Sequence, residues 1–293
     1  MTMRSLAFAL CLACGGVVAE PPPVPDPASN PGPPPPHDYQ VGFALSYEVD
    51  VWHSSTGTVT HPGVYEGSPA FTRDGTMFVA MDPSSNDPTN PPILDFVTGD
   101  GAVQHAVPFL PHAFGVRGDG RRLTFVDVNG ALRTWDVDGT LGPAIATKVE
   151  GRASYAPDDK TLVFMRGGQV VTMQDDGTNE EVLVQSDASE PSFSWDGTKV
   201  VYAAGRKSVD VIDRATHETR TLFTSTDGLL VWTPALTPDG AYVVFVVGYS
   251  HFSVLREEIA TGTIDALVKN LDQFTYASGP GFELSVAPDV TSK

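Results

Sequence analysis

Beyond residue 38 the chain is a succession of short apolar runs separated by turn residues. KVVYA (199–203) and TLVFM (161–165) are unbroken β-branched and aromatic runs. That pattern predicts β-strands. ETRTLF (218–223) is more polar and predicts an outer strand. Between the runs stand Asn129-Gly130, Gly167-Gly168, Asp138-Gly139, Asp176-Gly177 and Thr261-Gly262. Such pairs supply the positive φ angles that tight hairpins need. No stretch carries a convincing long helical period.

The runs repeat as a unit. PAFTRDGT (69–76), FGVRGDGR (114–121), ASYAPDDK (153–160), PSFSWDGT (191–198) and PALTPDGA (234–241) align on Asp74, Asp119, Asp158, Asp196 and Asp239, spaced by 45, 39, 38 and 43 residues. A period near 40 with four strands per unit predicts the blades of a β-propeller. Five units leave both ends unassigned. FELSVAPDV (282–290) reads as one more inner strand, with Asp289 in the aspartate position, and residues 41–61 read as second, third and fourth strands lacking a first. The predicted fold is therefore all-β: a six-bladed propeller of four-stranded antiparallel blades, its last blade closed jointly by the N- and C-terminal strands. That closure removes exposed sheet edges.

The Pro-Asp-Gly-centred repeat over residues 41–290 resembles the propeller repeats of the TolB family and of dipeptidyl peptidase IV-type proteins. The resemblance implies the propeller fold. TolB-type proteins carry an α/β domain before the propeller. Here residues 21–36, PPPVPDPASNPGPPPP, stand in that place. The peptidases carry a hydrolase domain, for which this chain has no counterpart.

The first residues change the picture from a bare propeller to an exported one. Arg4, an apolar run from Leu6 to Ala13 and small residues after it have the order of a secretory signal. LACGG resembles a bacterial lipoprotein signal with Cys14 as the lipidated residue, although Cys11 and Leu12 depart from the usual pattern. Cleavage after Val-Val-Ala, leaving Glu20 first, is the alternative. The organisation expected is a secretion signal over 1–19, a proline-rich linker over 20–38 and a propeller over 39–293. A polyproline spacer of that length reaches roughly 50 Å, at about 3.1 Å per residue. Location in the periplasm or at the outer membrane follows, with membrane contact only through the lipid.

A formal charge of −18, from 18 basic and 36 acidic residues, argues against nucleic acid, which needs a basic footprint. The only cysteines are Cys11 and Cys14, so the body of the chain can form no disulfide.

Candidate chemistry is sparse. GYSHF (248–252) lacks the second glycine of a nucleophile elbow. No phosphate-cradling glycine loop, HExxH or paired-cysteine zinc signature occurs. The six repeat aspartates are expected to accept backbone N–H groups within their own turns. His61 and His112, in connections entering inner strands, and His251, in a loop, are expected on one face. Arg152, Glu190, Thr233 and Glu283 stand six positions before the aspartate of their repeats and should ring the channel mouth, with Arg152 and Glu190 as neighbours able to pair. The polar insert 82–92 and Trp232 belong to the same face, Trp232 as an exposed anchor or a core residue.

These residues predict a monomeric, non-enzymatic envelope protein that binds a protein or peptide through Arg152, Glu190, Trp232, Glu283, His61 and His112, without a cofactor. The alternative is a metal-dependent lactonase- or esterase-type propeller with a divalent cation in its channel, which would need several carboxylate, Asn or His side chains converging on the axis.

Overall fold

The computed structural model describes residues 38–289 except 46–47, 64–65, 83–92, 99–102, 108–112, 186, 250–251 and 272–283. The signal, Cys14, the proline-rich linker, most of the 82–92 insert, His112, His251 and Glu283 lie outside the described residues.

Six four-stranded antiparallel sheets form the blades. Blade I runs from Glu66–Phe71 to Val103–Val107, blade II from Ala113–Val116 to Leu141–Ala146 and blade III from Glu150–Tyr155 to Glu181–Val184. Blade IV runs from Ala188–Phe193 to Thr219–Thr224 and blade V from Leu230–Leu236 to Ile264–Leu271. Blade VI is shared: Ser285–Pro288 from the end of the chain pairs with Tyr39–Leu45, followed by Glu48–His53 and Thr58–Gly63. The closing register sets Tyr39 against Pro288 and Val41 against Val286. The first strands touch one another in a closed cycle around the channel.

Successive residues of a strand point to opposite faces, and each blade is covered on both faces by its neighbours. That is why the middle positions of the second strands, such as Leu162–Phe164, Val200–Ala203 and Val243–Val247, are buried and apolar. The buried residues fall into six clusters, one per junction. Val201, Ala203 and Val209 of blade IV meet Val231, Val243 and Phe245 of blade V. At the seam, Tyr39, Val41, Trp52 and Leu284 of blade VI meet Trp232, Val244 and Val254 of blade V.

The two faces of the disc differ in kind. The turn face carries the Asp-Gly turns between first and second strands. In five of them the aspartate accepts the N–H two residues on: Asp74 from Thr76, Asp119 from Arg121, Asp158 from Lys160, Asp196 from Thr198 and Asp239 from Ala241. Asp289 serves the seam instead. Its buried carboxylate accepts from His53 Nδ1 at 3.2 Å and from the Ser55 hydroxyl at 2.7 Å. His53 Nε2 meets the Thr60 hydroxyl at 2.9 Å, and Asp289 N–H donates to Asp38 O at 3.2 Å. A carboxylate only accepts, so His53 carries its proton on Nδ1.

Candidate functional site: the channel mouth on the loop face

The loop face carries the connections between second and third strands and those between blades. Its centre is the channel mouth, formed where the first strands begin. Those strands are irregular there. Pairing shifts between Glu150 and Ser154, between Ser189 and Ser192 and between Trp232 and Ala235, which marks β-bulges. The bulges place Gly151, Glu190 and Thr233 at φ of +69°, +53° and +43°. A β-branched residue at positive φ is an outlier, and Thr233 also precedes a proline. Each such non-glycine residue costs about 1–3 kcal/mol, held in place by the surrounding structure.

Two of the residues singled out from the sequence reach backbone groups of other blades here. Glu190 accepts the N–H of Thr233 from blade V on its carboxylate. Arg152 of blade III donates to the carbonyl of Leu284 in blade VI at 2.7 Å. Blades III and VI are three apart in a ring of six, so the guanidinium crosses the channel. Thr233 is 4% exposed, and among the described residues its hydroxyl has no hydrogen-bond partner.

One open alternative is decided and one expectation needs correction. Trp232 is the core residue of its two readings: it is 9% exposed and packs in the seam cluster. Arg206 of blade IV stacks over its ring, with the guanidinium carbon 4.1 Å from the centroid. His61 does not lie in a connection but in the outermost strand of blade VI, Thr58–Gly63, with Nδ1 at 2.5 Å from Asp50 Oδ1.

The sequence reading missed Arg73, which closes the other end of the channel. It stands just before the aspartate of its repeat, where the remaining blades carry Gly118, Pro157, Trp195, Pro238 and Pro288. Arg73 donates to the carbonyls of Pro157 in blade III and of Trp195 in blade IV, the latter at 2.9 Å. It also stacks on Trp195 at 4.8 Å. Burial lowers its pKa from the ordinary value, against the field of Asp159 and Asp158. A side chain at Gly118 would stand 2.7 Å from Asp159 Oδ1 and 3.0 Å from Arg73 Cβ, so glycine leaves the path for Arg73.

The described surface of the loop face is apolar in places. Val128 is 79% and Tyr249 73% exposed, and Leu229 is 37% exposed. Leu230 pairs with Gly248, which sets Leu229 beside Tyr249 at the rim of blade V. Arg206 is held next to them, its carbonyl accepting Val231 N–H at 2.9 Å. Among the described residues, no group of three or more His, Cys, Asp or Glu is placed to hold a metal ion.

No family model matches this sequence, and no curated protein matches it. Solved structures do. TolB from Acinetobacter baumannii superposes with a TM-score of 0.68 at 14% identity, covering 85% of this chain and 67% of that one. A chain of a nidogen/laminin complex gives 0.62 at 14% identity, covering 85% of this chain and 98% of that one. A putative TolB from Agrobacterium tumefaciens gives 0.61 at 15% identity, covering 86% and 98%. The chain has the fold of TolB-like propellers. At these identities the likeness is one of fold, and propellers of one shape host many functions.

Proposed function

We propose that this chain is an exported envelope protein that binds a protein or peptide partner on the loop face of its propeller. The observation that carries the reading is the contrast between the faces. On the turn face the repeat aspartates are engaged within their own turns. On the loop face Tyr249, Leu229 and Arg206 form an exposed group beside the mouth. Tyr and Arg are over-represented among residues that dominate binding energy at interfaces. The chain joins the disc at Asp38, on the turn face, so the loop face is the far side from that junction.

The similar propellers support this reading by analogy, because one of them comes from a complex of two proteins. In this reading the residues before Cys14 supply the export signal, and Cys14 becomes the lipidated, anchoring first residue. Photocrosslinking in an envelope-bearing host tests it. A photoreactive residue at Tyr249 is expected to give a discrete adduct, and one at the exposed turn-face residue Lys199 none. Adducts from Lys199 alone would reverse the faces.

A further inference from the structure

We infer that the loop-face mouth of the channel is a cation-accepting site, built for a guanidinium or ammonium group and filled in this structure by the protein's own Arg152.

The argument begins with the inner strands. Each uses one edge to pair within its blade, and the other edge faces the channel. Groups on a free edge still need partners. Proline removes a donor and keeps the acceptor. Pro69, Pro191 and Pro234 lie within first strands, and Pro157, Pro238 and Pro288 lie at or just past their ends. The first strands and their ends thereby carry fewer N–H donors than carbonyl acceptors.

The described contacts show how those carbonyls are satisfied. Ala153 O accepts from the Thr124 hydroxyl at 3.3 Å, and Pro234 O from the Ser192 hydroxyl at 2.9 Å. The carbonyls crossed on the axis take guanidinium groups at both ends. Arg73 serves Pro157 and Trp195 on the turn face, and Arg152 serves Leu284 on the loop face. Two unrelated sequence positions thus bring the same chemical group to the two ends of one channel.

The ends differ in how they are built. Arg73 is locked by two carbonyls and the Trp195 ring. The loop-face end adds what a binding site needs. Glu190 contributes a carboxylate on a strained bulge, and Thr233 contributes a buried hydroxyl with no partner among the described residues. Charge-assisted hydrogen bonds from a cation to such acceptors are the strong ones. The chain's net charge of −18 favours the approach of a cation from solution. A Lys or Arg side chain of the partner, entering in place of Arg152, fits all of these features. That last step rests on the loop-face reading of function; the site itself does not.

The test uses a small probe, so that its failure is distinct from a failure to find the partner. N-acetyl-arginine amide is titrated by calorimetry into the wild type, Arg152→Ala and Arg152→Ala/Glu190→Gln. N-acetyl-norleucine amide is the uncharged control. Vacating the mouth should tighten binding of the arginine probe at least about tenfold over the wild type. Removing the Glu190 charge should reverse most of that gain, and the uncharged probe should bind none of the three. Should Arg152→Ala not fold, Arg152→Met keeps the apolar stem and serves the same purpose. Equal affinity of the arginine probe for wild type and the Arg152 variant, or equal binding of the two probes, overturns the inference.

Discussion

Replacing Asp289 by Ala strikes the one junction where the ring is held by chain ends. With cysteine only at positions 11 and 14, no disulfide can close the propeller. The seam rests on the short ladder between Ser285–Pro288 and Tyr39–Leu45, on the cluster around Trp52 and Trp232, and on the Asp289 contacts. The Asp289 side chain is 0% exposed. Its removal deletes a hydrogen bond to a charged group, about 1.5–3 kcal/mol, and strands the buried His53 Nδ1–H, about 1–3 kcal/mol more. Ser55 is exposed and turns to water. Relief of the buried charge offsets part of the loss, so about 3 kcal/mol is expected. At about 2–4 °C per kcal/mol for a domain of this size, the melting point should fall by about 6–12 °C. Circular dichroism at neutral pH measures the shift. Hydrogen exchange should show the amides of Tyr39 to Gly42 opening first. Asp138→Ala, in an exposed turn where the aspartate accepts Thr140 N–H, should shift the melt far less. A wild-type melt for Asp289→Ala, or an equal loss for Asp138→Ala, would refute the seam as the weak point.

Arg73→Met keeps the stem but leaves the Pro157 and Trp195 carbonyls without their donor; a loss of about 2–3 kcal/mol is expected from urea midpoints, and an unchanged midpoint would show that the staple is dispensable. Gly115→Ala would put a methyl 1.9 Å from the Ala153 carbonyl oxygen. Blades II and III must then separate, so insoluble protein or a loss above about 3 kcal/mol is expected, and a wild-type melt would contradict the close approach. Asp196 is held below the ordinary carboxylate pKa: burial pushes it up, but the Ser194 hydroxyl and the Thr198 N–H outweigh that. A lowered folded pKa gives stability that is present above the unfolded value and lost as pH falls. Asp196→Asn should therefore be less stable than wild type at pH 7, with the gap closing below about pH 4; a gap that is constant with pH would exclude the charge as its source.

The fold was legible because each blade repeats the same turn chemistry, and a repeated Asp-Gly signal survives errors in any single unit. The shared blade was legible because residues 41–61 supply three strands with no first. Other features depend on partners far away in sequence. Trp232 in LVWTPAL carries no mark of its burial, because its cover is Arg206 from the preceding blade. His61 was misplaced because the three N-terminal strands were read as ending at residue 61, whereas the outermost strand runs Thr58–Gly63 and includes Pro62. In the outermost strand of a blade a missing N–H faces no ladder, so the proline is tolerated there. The bulges left one signal in the sequence, the prolines of EPSF and TPAL inside inner strands. Proline in a strand points to a bulge or an edge, and these positions are both.

The acidic composition and the arginine placement belong to one design. Acidic residues outnumber basic ones two to one, yet several described arginines bridge neighbouring or opposite blades. Arg122 clamps Asp136 of its own blade and Asp175 of blade III at 2.6 and 3.0 Å. Arg256 of blade V stacks over Trp52 and Tyr242 and donates to the Tyr39 hydroxyl at 3.1 Å across the seam. Arg206 covers Trp232, Arg73 joins blades I, III and IV, and Arg152 joins III and VI. Lysine could not replace Arg73, Arg122, Arg206 or Arg256, whose contacts use the planar fork to reach two acceptors or to lie over a ring. These cations therefore act as joints between blades. For a propeller with no disulfide in its body, this arrangement supplies cohesion at the junctions by side-chain contacts alone.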